Sequence, residues 1–415
     1  MQGDAVASDN SPMSPSVFTS VRRAALTALI LPLLLFGPAP ALARTHSHPH
    51  KAVAAKTKAR ARAKTKAKAK AKARPKTRPK TKRKAKVSSS TTAKQPLDCI
   101  YAAQHVNTLR AVDAMVGHNF NCEMVYESSA QTWSDWVDPW YINDGDQNVN
   151  WADWVKAQPG RTLIITLNLF PASVQNTDWR DAGAAGLYAG YAAQLGENLV
   201  QAGLGNSIIR IANEANGTWF ADNIGNTPTQ YAEWVQFWRD TAIAMRSAPR
   251  SNFKFDWNVD AGYRNIPLSD FYPGDDVVDY IGVDSYDSGV PAGVSNRWNY
   301  LYNEPDGLGQ VLAFAEAHGK PFSIPEWGVN PTTVNDGGGD DPAYVNGIAH
   351  LVQSNDVAYQ SYFFNESWAQ GLASYPNSQA AYIAAFGNAD AITGSPAAAL
   401  STLPTDPGQA PYGLL

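Results

Sequence analysis

The chain has 415 residues, 44% of them hydrophobic and 17% charged, which excludes a wholly disordered protein and leaves ample apolar material for a large core. Its formal charge of −3 conceals a split: residues 51–86 hold 18 Lys or Arg and no acid, whereas residues 98–415 hold 35 Asp or Glu against 12 Lys or Arg. So acidic a folded part would repel phosphate, so no nucleic-acid partner is expected, and no stretch reaches the roughly 20 apolar residues of a membrane-spanning helix.

At the N-terminus, Arg22-Arg23 precedes a mostly apolar run from Ala24 to Phe36 and then Ala41-Leu42-Ala43. This three-part pattern is that of a secretory signal over residues 1–43, which predicts an exported protein, extracellular or associated with the cell wall. Residues 44–97 follow as an arm rich in Lys, Arg, Ala and Pro; with no apolar face to bury, it is expected to be disordered. It either holds the protein to an anionic cell-surface polymer through residues 51–86, by salt-sensitive attraction, or serves as a solvated spacer. The two cysteines, Cys99 and Cys122, form an even pair in an exported chain, which favours a disulfide between the first two strands; zinc would want four ligands, and no His or Cys stands at a matching spacing.

From residue 98 onward the apolar pattern alternates between short strands and helices. Cys99 to Ala103, Glu123 to Glu127, Thr162 to Leu167 and Ser207 to Ala212 read as the first four strands. Thr162-Leu163-Ile164-Ile165-Thr166-Leu167 is apolar on both faces, as parallel strands are. Helices are predicted from Thr108 to Val116, Trp151 to Ala157, Leu187 to Ala202 and Thr229 to Ser247. Strands at Phe253 to Val259, Tyr280 to Asp284, Pro321 to Pro325 and Val357 to Phe363 bring the count to eight, with a short helix at best at Leu268 to Phe271 and helices at Val311 to His318, Pro342 to Val352 and Gln379 to Phe386. Eight alternations without a break in composition predict a single (β/α)8 TIM barrel over residues 98–415, expected to be monomeric.

Two places carry the chemistry. Arg210 lies inside the fourth strand, where a buried guanidinium needs an anion, and Asn213-Glu214 follows at the C-terminal end of that strand, the end where barrel clefts form. Glu326 stands after the seventh strand in Ile324-Pro325-Glu326-Trp327-Gly328. Two carboxyls facing each other across a barrel mouth are the equipment for cleaving a glycosidic bond.

On these residues, together with Asn216-Gly217 and Asp279-Tyr280-Ile281-Gly282-Val283-Asp284-Ser285-Tyr286, the chain resembles a clan A retaining glycoside hydrolase, most nearly the family 26 β-mannanase group. It departs from that family in carrying Asn213 where a His normally precedes the acid/base. The resemblance implies Glu214 as acid/base and Glu326 as nucleophile, Arg210 and Tyr286 as supports of the nucleophile, and Asn213 on the sugar 2-hydroxyl. Trp219, Trp327 and Trp368 become candidate surfaces for stacking sugars. It implies a polysaccharide substrate such as β-mannan, cleaved within the chain, with β-glucan or a non-catalytic polysaccharide-binding barrel as alternatives. No cofactor and no metal are implied.

Overall fold

The computed structural model describes residues 95–127, 130–364 and 371–394. The expected leader and basic arm, Trp368 and residues 395–415 lie outside the described residues.

Eight parallel strands close in sequence order into a barrel: β1 (Leu97–Tyr101), β2 (Cys122–Glu127), β3 (Thr162–Leu167), β4 (Ile208–Ile211), β5 (Lys254–Asp260), β6 (Tyr280–Asp287), β7 (Phe322–Val329) and β8 (Val357–Phe363), with β8 returning to β1. The (β/α)8 TIM barrel expected from the alternation is the fold observed. The principal helices are α1 (Val106–Val116), α2 (Trp133–Val137), α3 (Trp140–Asn143), α4 (Trp151–Lys156), α5 (Trp179–Ala184), α6 (Ala189–Gln201), α7 (Pro228–Arg246), α8 (Arg297–Asn303), α9 (Leu308–His318), α10 (Pro342–Ser354) and α11 (Pro376–Phe386). Of these, α2, α3, α5 and α8 were not foreseen. They are seven residues or shorter, too short for helical periodicity to stand out, and depend on local caps and packing.

Capping decides where the long helices start. Thr227 accepts the amide of Gln230 ahead of Pro228, so α7 opens with a bonded cap and a proline whose missing N–H costs nothing there. Its buried face, Trp234, Phe237, Trp238, Thr241, Ala242 and Met245, recurs at helical spacing and packs on the barrel; each such aromatic stabilises the fold by about 2–3 kcal/mol. Asp341, the last residue of the acidic Gly-rich run, caps α10 through the amides of Ala343 and Tyr344. Gly117 ends α1 at φ 66°, with the carbonyl of Asn388 so close that a Cβ there would overlap it.

The core has two parts. The larger lies between the strands and the helices. A smaller one, Tyr101, Met124, Ile164, Ile208 and Tyr359 with Cys99 and Cys122, fills the barrel interior below the mouth. Cys99 and Cys122 are joined in a disulfide between β1 and β2, strands whose ladder otherwise registers only Ile100 with Glu123.

Strands β6 and β7 run farther than the sequence suggested. Tyr286 pairs with Gly328 and Asp287 with Val329, so Tyr286 and Glu326 lie within strands rather than in the loops after them. The predicted seventh strand ended at Pro325, a residue that donates no ladder bond. This proline falls where the register of β7 shifts against both neighbours, and the strand resumes beyond it.

Candidate active site

The fourth strand ends in a backbone kink. Ala212 and Glu214 both take left-handed φ, 48° and 50°, a conformation that costs an L residue on the order of 1 kcal/mol or more and that the surrounding contacts must hold. The turn is clasped by Asn216, whose side chain accepts from the amide of Asp260 and donates to its carbonyl, 2.8 Å each, tying the loop to the end of β5. Gly217 lets the indole of Trp219 pack directly on the backbone: a Cβ there would come within 2.5 Å of the ring. That packing aims Nε1 of Trp219 at Glu214, to whose Oε2 it donates at 2.6 Å.

Across the mouth, Glu326 projects from β7 and is 6% exposed. Three donors hold its carboxylate. Arg210 donates from Nη1 to Oε1 at 2.5 Å, Tyr126 donates from its hydroxyl to the same oxygen, and Tyr286 donates to Oε2 at 2.7 Å. Arg210 is fully buried and also pairs with Asp284 and Asn258; burial opposes its charge, but Asp284 and then Glu326 more than offset that, and the guanidinium stays ionised. Asp284 in turn accepts the backbone amide of Glu326 at 3.0 Å, which fixes the strand that carries the carboxylate. The anion that the sequence requires for Arg210 is thus supplied by Asp284 and Glu326, while the buried Glu123 accepts from the amide of Ala102.

Glu214, Asp284 and Glu326 each present an oxygen, and these three atoms lie within 4.8 Å of one another. A cation could bridge such a set, but Arg210 already pairs with two of the three acids. Burial first, and then the negative charge of Glu326, push the carboxyl of Glu214 up to about 7, so near neutrality a large share of it is still protonated while an oxygen of a second carboxylate stands close by. One carboxyl held by three donors beside another that retains a proton can divide the labour of nucleophile and acid.

Five residues singled out in the sequence, Arg210, Asn213, Glu214, Tyr286 and Glu326, come together at the mouth, with Trp219 beside Glu214. Asn213 is buried there and makes no side-chain hydrogen bond among the described residues. Trp327 does not join them. It is 0% exposed, its indole donates to Gln360, and it packs against Tyr362, Tyr382 and Tyr344 on the helix side of the barrel. The reason is strand alternation: with Glu326 pointing inward, the next residue must point outward. It is a core residue rather than a sugar-stacking surface.

Tyr126 was missed. In the sequence it is one aromatic among many. Only its parity on β2, shared with interior Met124, could have placed it inside the barrel.

Residues 191–324 match the profile of glycosyl hydrolase family 26, a span that includes Glu214 and ends two residues before Glu326. No curated protein matches the chain in sequence. Solved structures with the same barrel include GH26C from a Muricauda species, with 18% identity over 70% of this chain and 85% of that one and a TM-score of 0.50. A GH26 β-mannanase from Bacteroides ovatus is 15% identical over 71% and 88% of the two chains, TM-score 0.50. A modular endo-β-1,4-mannanase from Cellulomonas fimi is 18% identical over 74% and 73%, TM-score 0.50. At these identities the structural likeness speaks for the fold. The family match, on the segment from α6 into β7 that carries Arg210, Glu214 and Asp284, supports a glycoside hydrolase, and the chain resembles family 26 of clan A.

Proposed function

We propose that this protein is an exported, retaining, endo-acting β-glycanase with β-mannan as its leading substrate, working by double displacement. The observation that carries the proposal is the pair Glu214, just after β4, and Glu326, within β7, with oxygens within 4.8 Å. Carboxyls that close leave no room for a water between nucleophile and sugar, as inversion would require, and suit direct attack.

In the first step Glu326 attacks the anomeric carbon, and the bond to the departing oxygen breaks as Glu214 gives that oxygen its proton. The negative charge of Glu326 is consumed in the ester, which removes much of what held the proton on Glu214. Now ionised, Glu214 takes a proton from water, whose oxygen attacks the same carbon and releases Glu326. The unpaired amide of Asn213 is available to a sugar hydroxyl, where a bond that tightens as positive charge grows on the ring lowers the barrier. Arg210 and Tyr286 hold the nucleophile in place through hydrogen bonds to its two oxygens. Trp219, half-buried beside Glu214, can face the sugar while its Nε1 steadies the acid.

Mannan stands first because the chain resembles the family 26 β-mannanase group and two of the structural neighbours are mannanases. Asn213 in place of the family's His favours β-glucan as the second reading. Export rests on the N-terminal pattern of charged, apolar and small residues.

The test incubates the full-length protein with β-mannan, glucomannan, mixed-linkage β-glucan and xylan, with product masses read against time. Internal cleavage with retained anomeric configuration is expected, with the rate falling on the order of 10⁴-fold in Glu326→Gln. No turnover of any β-glycan by the folded protein, or equal turnover by that variant, overturns the proposal.

A further inference from the structure

The three donors on Glu326 are not shared evenly. Oε1 accepts from both Arg210 and Tyr126, whereas Oε2 accepts from Tyr286. A carboxylate oxygen has two in-plane lone pairs, and attack on carbon needs one of them free. Both are engaged at Oε1.

Tyr126 is also held more firmly than a rim residue would be. Its amide donates to Oε1 of Gln104 at 2.7 Å, and its carbonyl accepts from Nε1 of Trp140 at 3.4 Å, two bonds outside the strand ladder. Its ring meets Tyr101 and Phe363 edge-on, at centroid separations of 5.4 and 6.3 Å, and those two rings stack on each other at 4.3 Å. The hydroxyl therefore reaches Glu326 from a preset position, with no rotamer search at the moment of reaction.

We infer that Tyr126 is a positioning residue for the nucleophile that reserves Oε1 as a spectator, so that Oε2 of Glu326 is the atom that bonds to the sugar. The inference rests on the double-displacement function proposed above. In the first step a lone pair of Oε2 forms the bond to the anomeric carbon, the electron pair of the glycosidic bond leaves with the departing oxygen, and Glu214 supplies that oxygen's proton. Tyr126 keeps its own proton throughout. In the resulting ester Oε1 is the carbonyl oxygen, still hydrogen-bonded to Tyr126 and Arg210. When water attacks, the electron pair of the sugar–Oε2 bond returns to the carboxylate, and negative charge grows on Oε1 against those same two donors. Tyr126 thus assists chiefly the second step, the departure of the carboxylate.

The consequence separates it from a structural tyrosine. For an aryl β-glycoside of the cleaved sugar, Tyr126→Phe should lower kcat by about 10- to 100-fold, the usual effect of removing one charge-assisted donor, and lower KM along with it as the ester accumulates. A burst of released phenol, equal to the enzyme present, should precede the slow phase. The thermal midpoint should stay within a few degrees of the parent, since Phe fills the same space between Tyr101 and Phe363. A kcat within twofold of the parent, or a raised KM without a burst, overturns the role of Tyr126.

A second measurement needs no variant. Trapping the unaltered protein with a 2-deoxy-2-fluoro aryl glycoside and solving the ester should find the sugar on Oε2 with Tyr126 on Oε1; a sugar on Oε1 overturns the assignment. If the unaltered protein cleaves no β-glycan, the proposed function itself fails. If it cleaves and the ester sits on Oε1, only this inference does.

Discussion

Two carboxylates are buried inside the same barrel, one layer apart, and their surroundings make them different tools. In the lower layer Asp256 of β5 accepts from Ser323 at 2.9 Å and from Tyr359, and its second oxygen has no partner among the described residues. In the upper layer Glu326 also accepts from hydroxyls, but Arg210 donates to it directly and one edge reaches the mouth. Burial, opposed by the bonds from Tyr359 and Ser323, pushes Asp256 up to about 6. Hydroxyl donors are common to the two carboxylates; of the pair, Glu326 is the one with a directly paired guanidinium and an opening at the mouth.

The largest expected effect comes from removing that guanidinium. Arg210→Met leaves Asp284 and Glu326 as uncompensated buried acids and should destabilise the fold by about 3–5 kcal/mol, besides abolishing turnover. Differential scanning calorimetry at pH 7 measures it, and a loss under 1 kcal/mol would mean that the upper layer does not depend on its cation.

The lower layer should respond in the opposite sense and with no effect on catalysis. The folded value of Asp256 lies above its ordinary 3.8. Its stabilising contribution is therefore full below about pH 4 and is lost as pH rises through about 6, where a charge must form in a site with no paired cation. Asp256→Asn cannot charge, so its stability should fall less between pH 4 and 8, with a relative gain on the order of 1–2 kcal/mol at pH 8 and kcat unchanged. Parallel stability curves for parent and variant, or a large loss of kcat, would erase the distinction between the layers.

The smallest effect concerns the acid. In the double displacement proposed above Glu214, at about 7, gives up its proton in the first step, so the rate should fall as pH rises through that value. The indole of Trp219 donates to its carboxylate and favours the ionised form. Trp219→Phe should move the basic limb of kcat/KM upward by about half a unit to one unit, with a several-fold change in kcat. An unmoved limb would show that the indole serves only to pack.

Much of this molecule was legible in advance because its signals are local. Eight apolar runs separated by helical periodicity specify a barrel, and an acid at the end of the fourth run and another beside the seventh specify where a cleft can do chemistry. Arg210 announced itself as a charge in a strand too apolar to carry one unpaired. What the sequence could not set was direction and depth. Whether Trp327 faces sugar or helices turns on one step of strand parity, and whether β7 stops at Pro325 or continues depends on the register of its neighbours. The unequal loading of the Glu326 oxygens depends on Tyr126, 200 residues away in sequence and joined to it by barrel closure. The sequence by itself determined the eight strands, the long helices between them and which titratable groups are present, since these follow from residue type and short-range spacing; the tertiary structure decided the short helices, how far burial shifts each acid and which oxygen each donor meets, because those are relations between segments brought together only when the barrel closes.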